Sequence, residues 1–429
     1  MANLQIHTVK KGETLWKLAQ QYGVSTNDLI GANELTNPEN LVIGQAVIIP
    51  SSVHSHQVRA GENLWSISQR YGVTIQELVR VNHISNPAVI YPGQMIEIPQ
   101  PYKPTIEVNA YTEKFGEDGV QLTNEIAEHL TYLSPFSYRV QSDGSLTELD
   151  DTAIIRAAYE KRTAPMMVLT NFEDGTFSSD LAHTVLSNTA VQDNMISNVL
   201  GTMQMKGYMA LNIDFEYVPP ADRLLYNQLL QRLVDTLHPH GILVSSAVAP
   251  KLSADQKGTL YEAHDYAEHG RILDFVIIMT YEWGWSGGPP LAVAPINEVV
   301  KVLKYAMSVI PAEKIMMGMP LYGYDWTLPY VKGGKWAPTI SPKEAVNRAA
   351  KYGSEIHFDS ESQSPYFNYY DEQGLQHVVW FEDARSVQAK FNVVKVYKLR
   401  GVSYWVLGVA FPQNWYVLEE NFHIRKLVK

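Results

Sequence analysis

Stretches that favour β-strands alternate with stretches that favour α-helices eight times beyond residue 105. The strand-like stretches are short and apolar, and longer amphipathic stretches separate them. In the clearest predicted helix, Ala221–Leu237, leucine recurs at every fourth position from Leu225 onward. The eight predicted strands are Ile106–Tyr111, His129–Pro135, Met166–Asn171, Met209–Glu216, Ile242–Ala249, Phe275–Tyr281, Ile315–Leu321 and Gly401–Leu407.

Eight successive strand–helix units predict an α/β fold, the (β/α)8 or TIM barrel. A doubly wound open sheet is the alternative, but it requires a glycine-rich turn after its first strand. The segment NAYTEKFGEDG at residues 109–119 is not such a turn. The interval between strands seven and eight is longer than one helix requires, and it contains two aromatic β-prone stretches joined by DEQG. We therefore expect a small α+β insertion at about residues 325–390, before the last strand.

The fourth predicted strand contains polar residues where a buried strand should be apolar. In YMALNIDFEYV, residues 208–218, Asn212, Asp214 and Glu216 occupy alternate positions, so their side chains share one face of the strand. Strands in βα units are usually covered on both faces, and a buried carboxylate is costly unless it is paired or functional. The pattern predicts an active site, with a structural ion pair or an exposed strand as the alternatives.

Aromatic and acidic residues also occur at the ends of other predicted strands. In a barrel, the C-terminal ends of the strands meet at one mouth, where catalytic groups cluster. Aromatic rings stack on sugar faces and carboxyl groups act on glycosidic oxygens, so this mouth suits a carbohydrate; core packing is the alternative for each aromatic residue. The residues predicted to contact substrate are Asn212, Glu282, Tyr322, Trp405, Met319 and Tyr111.

The N-terminal region contains two copies of one sequence at an offset of 49 residues. Residues 7–50 and 56–99 are identical at 18 of 44 positions without a gap, which identifies a tandem repeat. Thr14 and Asn63 are predicted helix N-caps, Gly23 and Gly72 are predicted left-handed C-terminal residues, and Trp16 with Tyr22 is expected to fill a small core. The elements predicted in the first copy are His7–Val9, Trp16–Tyr22, a helix around Asn27–Ala32, and Ala46–Ile49.

Both copies resemble LysM modules. They share with that family the openings GETLW and GENLW, the YGV step, an internal asparagine and the ending GQ…IP. The resemblance covers residues 5–50 and 54–99 and implies two small βααβ domains that bind glycans containing N-acetylglucosamine, chiefly peptidoglycan and chitin; a protein-binding module is the alternative. The glycan-binding residues that it implies are Gly12, Thr14, Leu41, Ile43, Gly61, Asn63, Ile90 and Pro92.

Residues 104–429 resemble glycoside hydrolase family 18. NIDFE is similar to the family's fourth-strand signature Asp-x-Asp-x-Glu, MTYE is similar to its Met-x-Tyr-Asp, and the strand-eight tryptophan and the insertion are also shared. Two positions depart from the pattern, since Asn212 stands for the first aspartate and Glu282 for the aspartate after the tyrosine. Because family members with asparagine at that first position are active, we expect the change to tune activity.

The resemblance implies that Glu216, Asp214 and Tyr281 carry the catalysis. Burial and the Asp214 carboxylate are expected to raise the pKa of Glu216, which then acts as general acid and afterwards as general base. Family 18 uses the substrate's own 2-acetamido oxygen as nucleophile and forms an oxazolinium intermediate. Asp214 is expected to orient the acetamide N–H, and Tyr281 to donate to its carbonyl. Asn212 is expected to hydrogen-bond Asp214, and Trp405 to form the floor under the sugar.

Two LysM modules ahead of such a barrel resemble one subgroup of the family, the bacterial spore-cortex-lytic N-acetylglucosaminidases. This resemblance implies a hydrolase of cortex peptidoglycan that the LysM modules target to glycan strands containing N-acetylglucosamine. It also implies a location in the spore coat or cortex, or at the cell wall. A chitinase acting on chitin and a non-catalytic glycan-binding protein on the same scaffold are the alternatives.

The composition disfavours several other classes of protein. The chain has no cysteine, so disulfides, thiolate ligands and a thiol nucleophile are absent. Its histidines lack metal-binding spacing, and we expect neither a metal nor a cofactor. The net charge of −11 disfavours a nucleic-acid partner. The sequence has no apolar run near the ~18 residues of a membrane span and no basic start followed by an apolar core, so we expect neither a span nor a classical signal peptide.

Overall fold

The computed structural model describes residues 4–50, 55–71, 73–99 and 102–428. The predicted helix-ending Gly72, and residues 51–54 and 100–101 in the predicted linkers, lie outside the described residues. The chain divides into two units, one comprising residues 106–411 with 424–429, the other residues 1–105 with 412–423.

Eight parallel strands form a closed barrel in the larger unit. Each strand pairs with the next one along the chain, and strand eight pairs with strand one, so the ring has no free edge. This confirms the predicted (β/α)8 fold and all eight predicted strands, most of them slightly shorter than expected. Strand four is buried at every residue, as expected for a strand covered on both faces. The barrel strands are Thr105–Thr112, Tyr132–Pro135, Ala164–Thr170, Ala210–Asp214, Leu243–Val248, Phe275–Ile278, Ile315–Pro320 and Gly401–Trp405.

Helices connect the barrel strands. The helix after strand four begins at Arg223 rather than Ala221, because Pro220–Asp222 forms a 3-10 turn that leads into it. No helix within the described ranges is both long enough and apolar enough to cross a membrane. The α-helices of the larger unit outside the insertion are Gly116–Ile126, Thr152–Glu160, Ser179–Ser187, Thr189–Lys206, Arg223–Leu237, Tyr266–Ile272, Ile296–Met307 and Ala384–Tyr397.

The insertion before the last strand is a five-stranded antiparallel sheet with one helix, which confirms the α+β prediction. Buried Asp325 joins its parts, since it accepts hydrogen bonds from Tyr369 at 2.6 Å and His377 at 2.8 Å and pairs with Arg348 on the helix. The turn predicted at DEQG joins strands Ser364–Tyr370 and Gln376–Trp380 of this sheet. The elements are Gly323–Thr327, Thr339–Ile340, helix Pro342–Tyr352, His357–Asp359, Ser364–Tyr370 and Gln376–Trp380.

The smaller unit contains both repeats, each a two-stranded antiparallel sheet with two helices. This confirms the predicted βααβ organisation. Helix Pro412–Asn421 also belongs to this unit, where Gln413 Nε2 donates to Asn33 Oδ1 at 2.8 Å. The elements are Gln5–Thr8, Leu15–Tyr22, Thr26–Asn33 and Ala46–Ile49 in the first repeat, and Ser55–Gln57, Leu64–Tyr71, Ile75–Val81 and Met95–Glu97 in the second.

The expectation that Trp16 fills the core of the first repeat is wrong. Trp16 and its counterpart Trp65 are each 63% exposed. The buried positions of the first helix are Leu15, Leu18 and Ala19, and a residue adjacent to Leu15 points to a different side of the helix. Tyr22 does pack against the core, and its hydroxyl is hydrogen-bonded to His7 Nδ1 at 2.9 Å.

Candidate active site

Strand four ends at Asp214, and Glu216 lies two residues further along the chain. Both side chains line a pocket of about 330 Å³, which is a size suited to a small ligand. Most of the lining comes from residues at or just beyond the C-terminal ends of barrel strands, so the pocket occupies the catalytic mouth of this fold. The lining residues are Tyr111, Glu113, Phe136, Ser137, Arg139, Phe172, Phe177, Asp214, Glu216, Ala247, Met279, Tyr281, Glu282 and Trp405.

The two carboxyl groups perturb each other in a buried environment. Burial raises the pKa of Asp214. Burial and then the charge of Asp214 raise the pKa of Glu216 well above its usual range, because both effects disfavour the charged form. Both effects act on Glu216, so Glu216 is the carboxyl group of the pair that is favoured to hold a proton. Among the described residues, the buried Oδ1 of Asp214 has no hydrogen-bond partner, so it is an available acceptor in the pocket.

Two side chains from outside the strand fix the backbone around Glu216. Asn171 Oδ1 accepts from the Glu216 N–H at 3.0 Å, and Asn171 Nδ2 donates to the Glu216 carbonyl at 2.8 Å. His264 Nδ1 accepts from the Ala249 N–H at 3.0 Å, so its other nitrogen carries the proton and donates to the Phe215 carbonyl at 2.9 Å. Burial lowers the pKa of His264 to about 4, which keeps this neutral form. These contacts hold the chain where strand pairing has already ended.

Asn212 lies fully buried beneath the carboxyl groups, and the expected hydrogen bond to Asp214 is wrong. Its Nδ2 donates to Ser245 Oγ at 3.0 Å, and its Oδ1 accepts from Tyr111 at 2.8 Å. Residues two apart on a strand are separated by about 6.6 Å, whereas neighbouring strands are about 4.8 Å apart. Ser245 is the register partner of Asn212 on strand five. Asn212 therefore connects three strands below the pocket and orients the Tyr111 hydroxyl.

The loop after strand six supplies Tyr281 and Glu282, and both line the pocket. A Cβ atom at Gly318 would lie 2.8 Å from the Tyr281 ring, so glycine on strand seven makes room for the phenol. Burial raises the pKa of Tyr281 well above its usual value, which leaves its hydroxyl as a donor. Tyr322 lies outside the lining formed by the described residues. Instead, Tyr322 and Tyr324 donate to Glu282 Oε1 and fix that carboxyl group.

Trp405 forms an aromatic wall with two other rings. Its ring centroid lies 4.8 Å from that of Phe136 and 5.6 Å from that of Tyr111. Because aromatic pairs at these separations restrain one another, the exposed part of the Trp405 ring is a fixed surface. Met319, predicted to contact substrate, is buried on strand seven and lies outside the described lining.

Sequence reasoning missed several lining residues. Phe136 and Phe172 follow the last residues of strands two and three closely, and reading the positions just after every predicted strand would have found them. The Arg139 guanidinium lies 5.0 Å from the Phe172 ring centroid. Arg139 lies on a two-residue strand, and Phe172 and Phe177 lie on the two strands of a hairpin, each of which has two residues. These elements are too short to leave a periodic pattern in the sequence.

The residues predicted to bind glycan in the repeats are exposed or half-buried. The predicted caps are confirmed, since Thr14 Oγ1 accepts from Lys17 N at 3.3 Å and Asn63 Oδ1 from Ser66 N at 2.8 Å. Helix capping therefore explains why threonine stands at position 14 and asparagine at position 63, with no ligand required. Contact of these residues with glycan remains a prediction. The half-buried members are Leu41, Ile43 and Ile90, and the exposed members are Gly12, Thr14, Gly61, Asn63 and Pro92.

Comparison with protein families gives two matches. The model for glycosyl hydrolases family 18 matches residues 118–409. The LysM domain model matches residues 7–50 and 56–99.

Individual proteins and structures match over the same regions. The cortical fragment-lytic enzyme of Bacillus subtilis strain 168 is 50% identical over 427 residues, 99% of each chain. The crystal structure of the spore cortex-lytic enzyme SleL of Bacillus megaterium QM B1551 has a TM-score of 0.88 and 44% identity, covering 99% of this chain and 100% of that one. A chitinase structure from Chromobacterium violaceum has a TM-score of 0.68 and 26% identity, covering 74% of this chain and 99% of that one.

Proposed function

The chain belongs to glycosyl hydrolase family 18 and carries two LysM domains, and we propose that it is an N-acetylglucosaminidase that cleaves spore cortex peptidoglycan. The observation that carries this proposal is the convergence of Glu216, Asp214 and Tyr281 on one buried pocket. The name of the 50% identical relative, a cortical fragment-lytic enzyme, supports the choice of cortex as substrate. The proposed location is the spore cortex or the wall.

Glu216 transfers the proton. Its raised pKa favours the protonated carboxyl group, which can donate to the glycosidic oxygen as that bond breaks. The backbone contacts of Asn171 and His264 hold it in place for this step. After the leaving sugar departs, the Glu216 carboxylate accepts a proton from the water that attacks the intermediate.

The substrate supplies the nucleophile. Most retaining glycosidases use a second carboxylate, but family 18 uses the oxygen of the 2-acetamido group, which attacks the anomeric carbon and forms an oxazolinium ring. The unpaired Oδ1 of Asp214 can accept the acetamide N–H, and its negative charge stabilises the cationic ring. The Tyr281 hydroxyl donates to the acetamide oxygen. Water then opens the ring with overall retention of configuration.

Trp405 forms the floor under the sugar at the cleavage site. Its ring is fixed against Phe136 and Tyr111, and an aromatic face matches the apolar face of a pyranose. Glu282, held by Tyr322 and Tyr324, is placed to accept hydrogen bonds from the same sugar.

The two LysM domains keep the enzyme on its polymer. A second binding event on the same strand is intramolecular, so two weak sites raise the overall affinity through effective concentration. Glycan strands with N-acetylglucosamine are the proposed ligands of both domains.

Product analysis tests the proposal. Soluble cortex fragments, vegetative wall and chitin are digested with the wild-type protein and with Glu216→Gln, and the new reducing ends are identified by mass spectrometry. The proposal predicts muropeptides that end in N-acetylglucosamine, at a rate about 10²–10⁴-fold lower for the variant. Turnover restricted to chitin would make the protein a chitinase. Binding to glycan strands without any cleavage products would make the protein a glycan-binding protein.

A further inference from the structure

Two exposed tryptophans form a pair on the larger unit, outside the lining of the catalytic pocket. Trp285 is 42% exposed and Trp336 is 65% exposed. Their ring centroids lie 5.8 Å apart with an angle of 83° between the ring planes. Exposed indole rings leave apolar surface in water, and paired exposed aromatics of this kind mark binding surfaces more often than isolated ones do.

The segment that carries Trp285 is built to hold the ring still. Cβ atoms at Gly287 and Gly288 would lie 2.3 and 2.4 Å from atoms of the Trp285 indole, so the chain folds closely over the ring only because these residues are glycines. The insertion holds the same segment, because Trp326 Nε1 donates to the Gly288 carbonyl at 2.9 Å. In addition, the Ala337 N–H donates to the carbonyl of residue 286 at 2.8 Å. A surface this rigid loses little entropy when a ligand binds.

Two features link the pair to the catalytic pocket, one through the loop after strand six and one through the insertion. Trp285 follows the pocket residue Glu282 by three positions in the loop after strand six. Ala337, next to Trp336, belongs to an apolar cluster against which Tyr281 and Trp405 also pack. A polymer that occupies the pocket and extends on this side therefore meets the tryptophan pair.

The charge beside the pair distinguishes between classes of polymer. Residues 328–337 contain Lys332 and Lys335 and no acidic residue, in a chain with a net charge of −11. Both lysines are exposed. Within the part of the chain that the structure describes, neither forms an ion pair. A ligand with carboxylate groups gains from this local positive charge, and a neutral glycan does not.

We propose that Trp285, Trp336, Lys332 and Lys335 form a subsite for a glycan strand that bears carboxylates, beyond the sugar being cleaved. The indole rings stack on pyranose faces, and the lysines pair with lactyl or peptide carboxylates of the strand. This inference rests on the proposed function for the identity of the strand. It adds a reason for the enzyme to prefer peptidoglycan over chitin.

The aromatic part is tested with Trp336→Ala, with Trp336→Phe as the conservative variant and Tyr370→Ala as control. Tyr370 is also on the insertion and is 65% exposed. The proposal predicts that Trp336→Ala lowers kcat/KM for hexasaccharide and longer cortex fragments by roughly tenfold through KM, that it leaves kcat unchanged, and that phenylalanine restores much of the loss. An equal loss for Tyr370→Ala, or no loss for Trp336→Ala, would overturn it.

The charge part is tested with Lys332→Ala combined with Lys335→Ala, and Lys304→Ala as control. The double variant should lose affinity for native fragments, keep its affinity for chito-oligosaccharides, and lose the advantage of native fragments over fragments whose carboxylates have been amidated. Equal losses on charged and neutral glycans would refute the role of the lysines.

Occupancy can be measured independently of catalysis. In Glu216→Gln protein, oxidative footprinting read by peptide mass should show that long fragments protect Trp336 and that disaccharides do not. If the wild-type protein cleaved no fragment, the proposed function would fall while this experiment still decided the subsite. Oxidation of Trp336 unaffected by long fragments would refute the subsite and leave the proposed function intact.

Discussion

Replacing Asn171 with alanine tests whether the backbone of the proton donor must be held in place. The substitution removes both hydrogen bonds to the Glu216 backbone, at 3.0 and 2.8 Å, and one to the Ser178 carbonyl at 2.9 Å. Each buried backbone group left without a partner costs about 1–3 kcal/mol, so the two groups of Glu216 alone cost roughly 2–6 kcal/mol. The chain relieves this cost by shifting Glu216 toward water, and a displacement of about 1 Å in an active site lowers the rate on the order of 100-fold.

We therefore expect Asn171→Ala to lower kcat about 100-fold with little change in KM, and to lower the free energy of unfolding by roughly 2 kcal/mol. Initial rates on soluble cortex fragments, measured well below the melting temperature, give kcat and KM; urea unfolding gives stability. Asn198→Ala is the matched control, since that side chain donates to the Gly144 carbonyl at 3.0 Å away from the pocket. It should leave kcat unchanged. A folded Asn171→Ala protein with wild-type kcat would refute the positioning role.

Three further predictions concern charge and avidity. Asp214→Asn removes the charge that helps raise the pKa of Glu216, so the alkaline limb of the kcat/KM pH profile should move to lower pH; an unmoved limb would contradict the coupling. Because the folded state holds the Glu216 proton more tightly than the unfolded state, its destabilising effect is absent below about pH 4 and grows as pH rises above that value. Glu216→Gln should therefore melt higher than wild type at neutral pH and equally at acid pH, as calorimetry can verify. Either Ile43→Ala or Ile90→Ala should weaken sedimentation with wall about 100-fold, because losing one domain leaves a single weak site without avidity; sedimentation unchanged by either substitution would count against it.

The barrel could be predicted because its signal is local and repeated. Strand four reads as a buried strand interrupted by polar residues at alternate positions, and the period of two places Asp214 and Glu216 together whatever the exact ends of the strand are. The insertion was predictable for a similar reason, since two of its strands are joined by a recognisable turn. Helix starts were less accurate, as Pro220–Asp222 shows.

The errors and omissions concern side-chain direction and distant contacts. The sequence predicts Trp16 in the core together with Tyr22, but its position on the helix points it to solvent. The predicted hydrogen-bond partner of Asn212 is Asp214 on the same strand, although residues on adjacent strands lie closer to Asn212. Asn171 and His264 reach the chain around Glu216 from 45 and 49 residues away, and contacts at such separations leave no pattern in the local sequence.

The most direct test of the central claim, that the substrate's acetamide is the nucleophile beside the Glu216 acid, is the dependence of cleavage on that acetyl group. Cortex fragments are compared before and after chemical de-N-acetylation, and again after re-acetylation with acetic anhydride, with reducing ends counted over time. The account predicts cleavage of native fragments, loss of cleavage after de-N-acetylation, and recovery on re-acetylation. Cleavage of de-N-acetylated fragments at the native rate would contradict it.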